Sequence, residues 1–480
     1  MTNVKKSLVL SFVSKYAQLG IAFISSIIIA RLLTPEEVGL FSMVAGVVVI
    51  AHMLRDFGVS SYIVKEKNFD DEKCSAAFFV TAGLSWSAGI ILFVCAPFLM
   101  EFFHRQEVLG IARLISLNFF IIPFGSISLG LLRKKMNFHA LLIINVSSSF
   151  INALTTIVLA YNEYSYMSLV WASIAGTIVT VVLGTYYREK ISFVIPSFSV
   201  TKKVFSFGGQ VSLAKILNST IEALPDILVG KYIGVSTVGL MSRAKGLTRL
   251  FHQGVTQAVL PVLLPDLVNK RNTGAGEAQK RYLEALSYMC SLGWPFFILL
   301  TFISDSLILI LFGENWIKAS EFVIWFSAIA AIKLMFNLSD DLMVALDKTS
   351  ELLKSRLIIN IISLIVLVAS IQYGLTKFLI ALVGVQFVGM SISLFFLVKY
   401  CHISIKYLLI SLALPFTLAL ILLVALFITN YFVEAWQLNP FFDIVFNSLI
   451  VFVIWIGTVF LTNTKLKIEL KVFLQKIFRD

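Results

Sequence analysis

The chain has 480 residues, of which 58% are hydrophobic and only 14% charged, with 42 Phe and a mean hydropathy of +0.91. A single water-soluble core of this length does not use so much apolar surface, so a soluble globular protein is excluded and a polytopic membrane protein is indicated. The formal charge of +12 raises nucleic acid as a partner, and the positions of the basic residues exclude it.

In chain order, the apolar stretches predict about fourteen transmembrane helices, near residues 7–30, 38–58, 74–100, 108–131, 140–160, 167–187, 204–230, 237–264, 282–311, 320–344, 352–372, 377–398, 406–429 and 441–462. Runs of about twenty residues fit helices, since a membrane β-barrel would show alternating segments of about ten. The first run is too long for a cleaved leader, has no small-residue cleavage site before Lys15, and is read as a span. With the N-terminus in the cytoplasm, the outer loops hold five basic residues: Arg31, Arg105, Lys231, Lys318 and Lys377. The inner segments hold 27, from Lys5 and Lys6 through Arg133, Lys134 and Lys135 to Arg479. This asymmetry predicts both termini in the cytoplasm and accounts for most of the positive charge without nucleic acid.

The sequence repeats at a spacing of 200 residues. RLLTPEEVGLFS from Arg31 aligns with KYIGVSTVGLMS from Lys231, so that Val38, Gly39, Leu40 and Ser42 meet Val238, Gly239, Leu240 and Ser242. Residues 1–200 and 201–400 are therefore read as two six-helix lobes, and because six is even they form parallel repeats. Residues 401–462 supply two extra spans. The basic tail 463–480 is read as an amphipathic helix on the inner leaflet or as a solvated tail. The outer loops are short, without a segment to hold substrate for polymerisation or ligation, so an enzyme is not expected and no catalytic residues are assigned.

Charged residues inside spans cost about 2.5 to 3.5 kcal/mol at the bilayer centre on insertion scales, and so mark a wet path or a partner. They fall at helical spacing. Lys245, Arg249, His252 and Thr256 share one face of the eighth span, and Lys215, Ser219, Glu222 and Asp226 one face of the seventh, beside Pro225. Ser11, Lys15, Gln18 and Ser25 make a stripe in the first span, and Lys333, Asn337 and Asp340 one in the tenth, next to Asp341. Seven intramembrane cations, Arg113 and Arg243 included, face four acids, so the inferred cavity is net positive and suited to a phosphorylated amphiphile. Lys15, Lys215, Lys245, Arg249, Lys333 and His252 are the candidate substrate-binding residues. Arg113, Arg243 and Asp341 lie near span ends, where long side chains also snorkel to the interface. Glu222, Asp226 and Asp340 are read as ion-pair partners or coupling sites, with an H+ or Na+ gradient or the membrane potential as the driving force and no cofactor. Arg55 and Asp56 are read as a helix-end pair, structural or gating; the DFG string at 56–58 has no kinase context around it.

The four cysteines form no CxxC pair and the five histidines no HExxH spacing, so no metal site is expected.

The strings ARLLTPEEVGLFS, RDFGVSSYIVKEKN at 55–68, VLPVLLPDL at 259–267, LFGENWIKASEFVIWFSAIAAIK at 311–333 and MVALDKTSELLKSRLIIN at 343–360 resemble Wzx-type polysaccharide transporters, in the branch that contains the colanic acid exporter. The resemblance covers nearly the whole chain. It implies a lipid-linked oligosaccharide flippase of the multidrug/oligosaccharidyl-lipid/polysaccharide superfamily, in the bacterial inner membrane. Such a protein moves undecaprenyl-diphosphate-linked repeat units for O-antigen, capsule or exopolysaccharide by alternating access. It would act as a monomer beside a polysaccharide polymerase and chain-length machinery. Two alternatives stay open: a drug or metabolite antiporter of the same superfamily, which would use acids in the first lobe, and a peptidoglycan-precursor flippase, which differs in cargo.

Overall fold

A computed structural model describes residues 2–56, 58–66, 69–188, 194–274, 276–435 and 439–461. The expected tail helix at 463–480 lies outside the described residues, in which there is no strand. In chain order the helices are α1 (Thr2–Leu32), α2 (Pro35–Asp56), α3 (Val59–Lys65), α4 (Asp71–Phe103), α5 (Glu107–Ile121), α6 (Pro123–Lys134), α7 (Phe138–Tyr161), α8 (Met167–Tyr187), α9 (Phe198–Tyr232) and α10 (Val235–Phe251). After a π-helical turn at His252–Thr256 come α11 (Gln257–Thr273), α12 (Glu277–Phe302), α13 (Ser304–Phe312), α14 (Ala319–Leu334), α15 (Ser339–Ala345), α16 (Thr349–Ser370), α17 (Leu375–Cys401), α18 (Ile405–Ala435) and α19 (Pro440–Leu461). The protein is thus all-α, as the length of its apolar runs predicts. Eleven helices among the described residues are long and apolar enough to cross a membrane, or twelve if α5 and α6, bent by 49°, form one crossing. The sequence pattern gives about fourteen; α9 and the α10–α11 run, its seventh and eighth spans, are long helices outside this set.

Helix starts follow local chemistry. At the head of α2, Thr34 and Glu37 form a reciprocal capping box: the Thr34 amide and hydroxyl donate to Glu37 Oε2 at 2.7 and 2.8 Å, and the Glu37 amide donates to Thr34 Oγ1 at 3.3 Å. Pro35 fills the first helical position, where no amide donor is needed. Asp70 caps α4 by accepting from the Lys73 amide at 2.8 Å.

Prolines leave carbonyls without their helical partner, and distant side chains take them. Pro123 has no N–H for the Phe119 carbonyl, which accepts from Ser85 Oγ at 2.6 Å, while Trp86 Nε1 donates to the Phe120 carbonyl at 3.2 Å. The α5–α6 bend is thereby fixed against α4. Ser85→Ala is expected to lower stability by about 1 to 3 kcal/mol, the cost of leaving a buried carbonyl unsatisfied. Thermal unfolding of the purified protein checks this; an unchanged midpoint counts against it. In the same way Pro295 frees the Ser291 carbonyl, which accepts from Trp455 Nε1 of α19 at 2.9 Å. The end of α14 frees the Ala331 carbonyl for Trp294 Nε1, at 3.1 Å.

Two compact units are present. One comprises the chain up to Ser242 with Ser363–Leu375, the other Arg243–Ile362 with the chain from Thr376 onward. This division is one of packing, whereas the 200-residue repeat is one of sequence. In the first unit α1 packs on α7, α7 on α8, α4 on α5, and α9 on both α2 and α4. In the second, α12 packs on α14 and α18, α11 on α15, and α13 and α18 on α19. Its core gathers Tyr282, Leu286 and Met289 of α12 with Leu338, Leu342 and Phe396.

Within the first unit the repeated motif meets itself. A side chain on Gly39 would overlap the Val235 carbonyl oxygen and lie 2.8 Å from its carbon; one on Gly239 would overlap the Pro35 carbonyl oxygen, again 2.8 Å from its carbon. Position 35 is to 235 as 39 is to 239, so the two contacts are copies related by a two-fold axis. Ser42 Oγ donates to Ser242 Oγ at 3.4 Å, a residue touching its own repeat equivalent. The absence of a Cβ is what lets these backbones approach so closely.

In the second unit, α19 carries a buried acid. Ser306 Oγ of α13 donates to Asp443 Oδ2 at 2.5 Å, Asn447 Nδ2 to Asp443 Oδ1 at 2.6 Å, and Thr429 Oγ1 of α18 to Asn447 Oδ1 at 2.9 Å. Asp443 is 6% exposed and Asn447 fully buried.

Candidate functional site

The α1 stripe lies on one unbroken helix. Lys15 is half-buried there, while Gln18 turns back along its own helix, donating to the Ser14 carbonyl and hydroxyl at 3.0 and 3.2 Å. The α9 stripe is also on one helix, which continues through the buried Pro225. Glu222 is exposed and Asp226 half-buried. Lys215 lies in α9, but its side chain is outside the described residues, as are those of Arg55 and Asp56 in the last turn of α2.

The stripe on α10 is modified. Lys245 is half-buried with its Nζ 5.2 Å from the centre of the Phe326 ring, and Arg249 is exposed. His252 opens the π-helical turn, in which one extra residue is accommodated, so Thr256, buried, leaves the face shared by Lys245 and Arg249. The helical spacing of the stripe holds as far as His252 and fails beyond it.

On α14, Phe326 and Lys333 are seven residues apart and share a face. The Lys245 contact with Phe326 therefore brings Lys245 to the face that carries Lys333, about 10 Å farther along at 1.5 Å per residue. The stripe does not continue to Asp340: a break at 335–338 separates α14 from α15. Asp340 instead forms a bidentate pair with Arg356 of α16, Nε to Oδ2 at 3.1 Å and Nη2 to Oδ1. The sequence pattern does not single out Arg356, because a basic residue one turn into a span reads as an inner-end charge.

Two cations at span ends have aromatic seats. Arg243, half-buried, lies 4.9 Å from the Trp316 ring centre and 5.6 Å from that of Phe312, and Arg113, exposed, 5.1 Å from that of Phe93. A guanidinium resting on an aromatic face keeps its in-plane donors directed outward from the ring edge. His52, at the position equivalent to His252, stacks on Phe119 with ring centres 4.7 Å apart.

At the helix ends read as inner from the charge pattern, the basic residues make local ties. Lys134 Nζ donates to the Ile63 carbonyl at 3.0 Å and to that of Glu66, and Lys73 Nζ lies 2.9 Å from Glu66 Oε1. The Lys73 ammonium holds the Glu66 carboxyl below the usual carboxylate range. These contacts fasten α3, a short helix in the stretch that the span pattern leaves between the second and third spans. Among the described residues no three His, Cys, Asp or Glu side chains converge as metal ligands. The arrangement is of cations on apolar and aromatic supports inside helices, suited to holding an anionic group without covalent chemistry.

Residues 28–321 match the family described as "Polysaccharide biosynthesis protein". The chain is 25% identical over 319 residues to the succinoglycan biosynthesis transport protein ExoT of Rhizobium meliloti, covering 64% of this chain and 62% of that one. It is 19% identical over 300 residues to the lipopolysaccharide biosynthesis protein WzxC of Escherichia coli, covering 62% and 61%. The chain thus spans about three fifths of the length of these relatives. Among solved structures, the lipid II flippase MurJ in an inward closed conformation superposes with a TM-score of 0.77 at 15% identity, over 94% of this chain and 97% of that one. The fold is shared with MurJ.

Proposed function

Because the chain belongs to the family of polysaccharide biosynthesis proteins, we propose that it is a flippase for undecaprenyl-diphosphate-linked oligosaccharide, moving repeat units from the cytoplasmic to the periplasmic leaflet of the bacterial inner membrane. The observation that carries this reading is the placement of Lys15 within a helix long and apolar enough to cross a bilayer, with Lys245 brought to the face of α14 that carries Lys333. A path lined by cations attracts an anionic group, and a diphosphate offers two. The sugars follow the phosphates through the protein while the prenyl chain stays in lipid.

In this reading α9 and the α10–α11 run are the seventh and eighth of fourteen crossings, both termini are cytoplasmic, and the repeats at 1–200 and 201–400 alternate access as two lobes. Arg249, His252 and Lys215 belong to the same path. Glu222 and Asp226 couple it to an H+ or Na+ gradient or to the membrane potential, and Arg55 with Asp56 lies at its inner gate. One chain is sufficient, beside the polymerase and chain-length machinery that receive the cargo.

The test is the leaflet position of undecaprenyl-diphosphate-linked sugars, read with an external enzyme that cannot cross the membrane, in cells with and without the gene. Deletion is expected to leave intact repeat units on the cytoplasmic face; outward movement at the normal rate overturns the flippase reading. Lys245→Ala and Arg249→Ala are each expected to cut export about tenfold or more at normal membrane levels, the scale of one lost charge-assisted contact, whereas Arg249→Lys keeps part of it. Normal export in both alanine variants overturns the cationic path.

A further inference from the structure

A cleft of about 690 Å³ lies at the end of α4, lined along one side by Val94 and Phe98 and at the other by Glu101, His104, Arg105 and Gln106. Its volume falls within the range of about 300 to 1,000 Å³ of small-molecule sites. It is amphipathic. Val94 and Phe98 are about two-thirds exposed, at 68% and 66%, on the surface of a helix apolar enough to cross the membrane. The polar end is formed by the turn after α4, where His104 adopts a left-handed conformation, with φ 53°, and caps the helix. Arg105 lies there with one guanidinium nitrogen 3.0 Å from Glu36 Oε1, at the head of α2. Its other N–H donors are not used by that contact.

We propose that this cleft binds a phospholipid with a zwitterionic primary-amine headgroup, of the phosphatidylethanolamine class. The acyl chain lies along Val94 and Phe98, the phosphate accepts from the Arg105 guanidinium and the His104 ring, and the ammonium donates to the Glu101 carboxylate. Charge complementarity selects this class. Glu101 in the wall and Glu36 on Arg105 leave the polar end without excess positive charge, so a headgroup that is only anionic meets two carboxylates. A choline headgroup carries no N–H and cannot donate to Glu101. The inference stands apart from the flippase reading, since it concerns the lipid-facing surface of one helix.

The experiment is native mass spectrometry of the full chain released from detergent, with phosphatidylethanolamine, phosphatidylcholine and phosphatidylglycerol of identical acyl chains titrated in parallel. Phosphatidylethanolamine is expected to be retained about tenfold more tightly than the other two, the scale of one charge-assisted hydrogen bond. Glu101→Gln is expected to abolish that preference. Arg105→Gln is expected to weaken all three headgroups, and thermal unfolding of each variant separates lost binding from lost fold. Equal retention of the three lipids, preference for phosphatidylglycerol, or an undiminished preference in Glu101→Gln overturns the proposal.

Discussion

Gly39→Ala and Gly239→Ala are each expected to destabilise the protein by about 1 to 3 kcal/mol, the usual cost of overpacking a tight contact, and the valine variants by more. The direction is informative, because alanine in place of glycine inside a helix ordinarily gains about 0.5 to 1 kcal/mol. What reverses it is the identity of the obstructing atom. Each new Cβ meets a backbone carbonyl, Val235 for Gly39 and Pro35 for Gly239, and a carbonyl cannot rotate aside as a flexible side chain does. Gly83, in α4, where a Cβ would have nothing within 4 Å, is the control and is expected to gain slightly on the same substitution. The double variant is expected to cost less than the sum of the two singles, since one substitution already parts the helices that the other would meet. Thermal unfolding of the purified variants reads all four. Midpoints for Gly39→Ala and Gly239→Ala at or above that of the parent would show that the crossing tolerates a side chain.

The second large effect is expected at Asp443. Its carboxylate receives the Ser306 hydroxyl and the Asn447 amide, and Asn447 in turn receives Thr429. Asp443→Ala removes the acceptor of the partly buried Ser306 hydroxyl and one of the two acceptors of the buried Asn447 amide, which keeps the Asp443 carbonyl at 3.2 Å. An unsatisfied buried donor costs about 1 to 3 kcal/mol. A loss of about 1 to 3 kcal/mol is therefore expected, large against the roughly 5 to 15 kcal/mol that holds a typical domain. Asp443→Asn keeps one acceptor oxygen and is expected to lose less. Asp443→Leu combined with Asn447→Leu removes both members of the polar pair and is expected to recover much of the stability lost in Asp443→Ala, because replacing a whole buried network is cheaper than breaking it. Equilibrium unfolding in denaturing detergent checks the order; an Asp443→Ala variant as stable as Asp443→Asn would remove the carboxylate from the account.

The long helices are legible in the sequence because apolar runs of about twenty residues have few alternative explanations, and the repeat is legible because VGL and the serine two residues on recur at one offset. What escapes the sequence are interruptions decided by contacts distant in the chain. Nothing between Lys245 and Thr256 marks the π-helical turn; Gly254 alone is a weak signal. The break after Leu334 leaves the Ala331 carbonyl to Trp294, 37 residues earlier, and no local window contains that partner. The same break removes Asp340 from the stripe of Lys333 and delivers it to Arg356. Asp443 and Asn447 stand four apart in an otherwise apolar span, a spacing that marks one polar face, but an acid at the head of a span reads as an interfacial charge before it reads as packing.

The contact of Ser42 with Ser242 has a meaning for how such a chain arises. A residue that touches its own equivalent across a two-fold axis is the defining geometry of an isologous dimer, so the fused chain keeps within one polypeptide an interface that two half-length copies would make by association. In a dimer of identical halves, every substitution appears twice and on both sides of the axis. Fusion removes that restriction, and this sequence uses the freedom unevenly: Lys15 and Lys215 correspond, as do His52 and His252, but Lys245, Arg249, Glu222 and Asp226 correspond to Ala45, Val49, Ala22 and Ser26. The glycines and serines at the axis are alike in both copies, while these four charges are carried by the second copy alone.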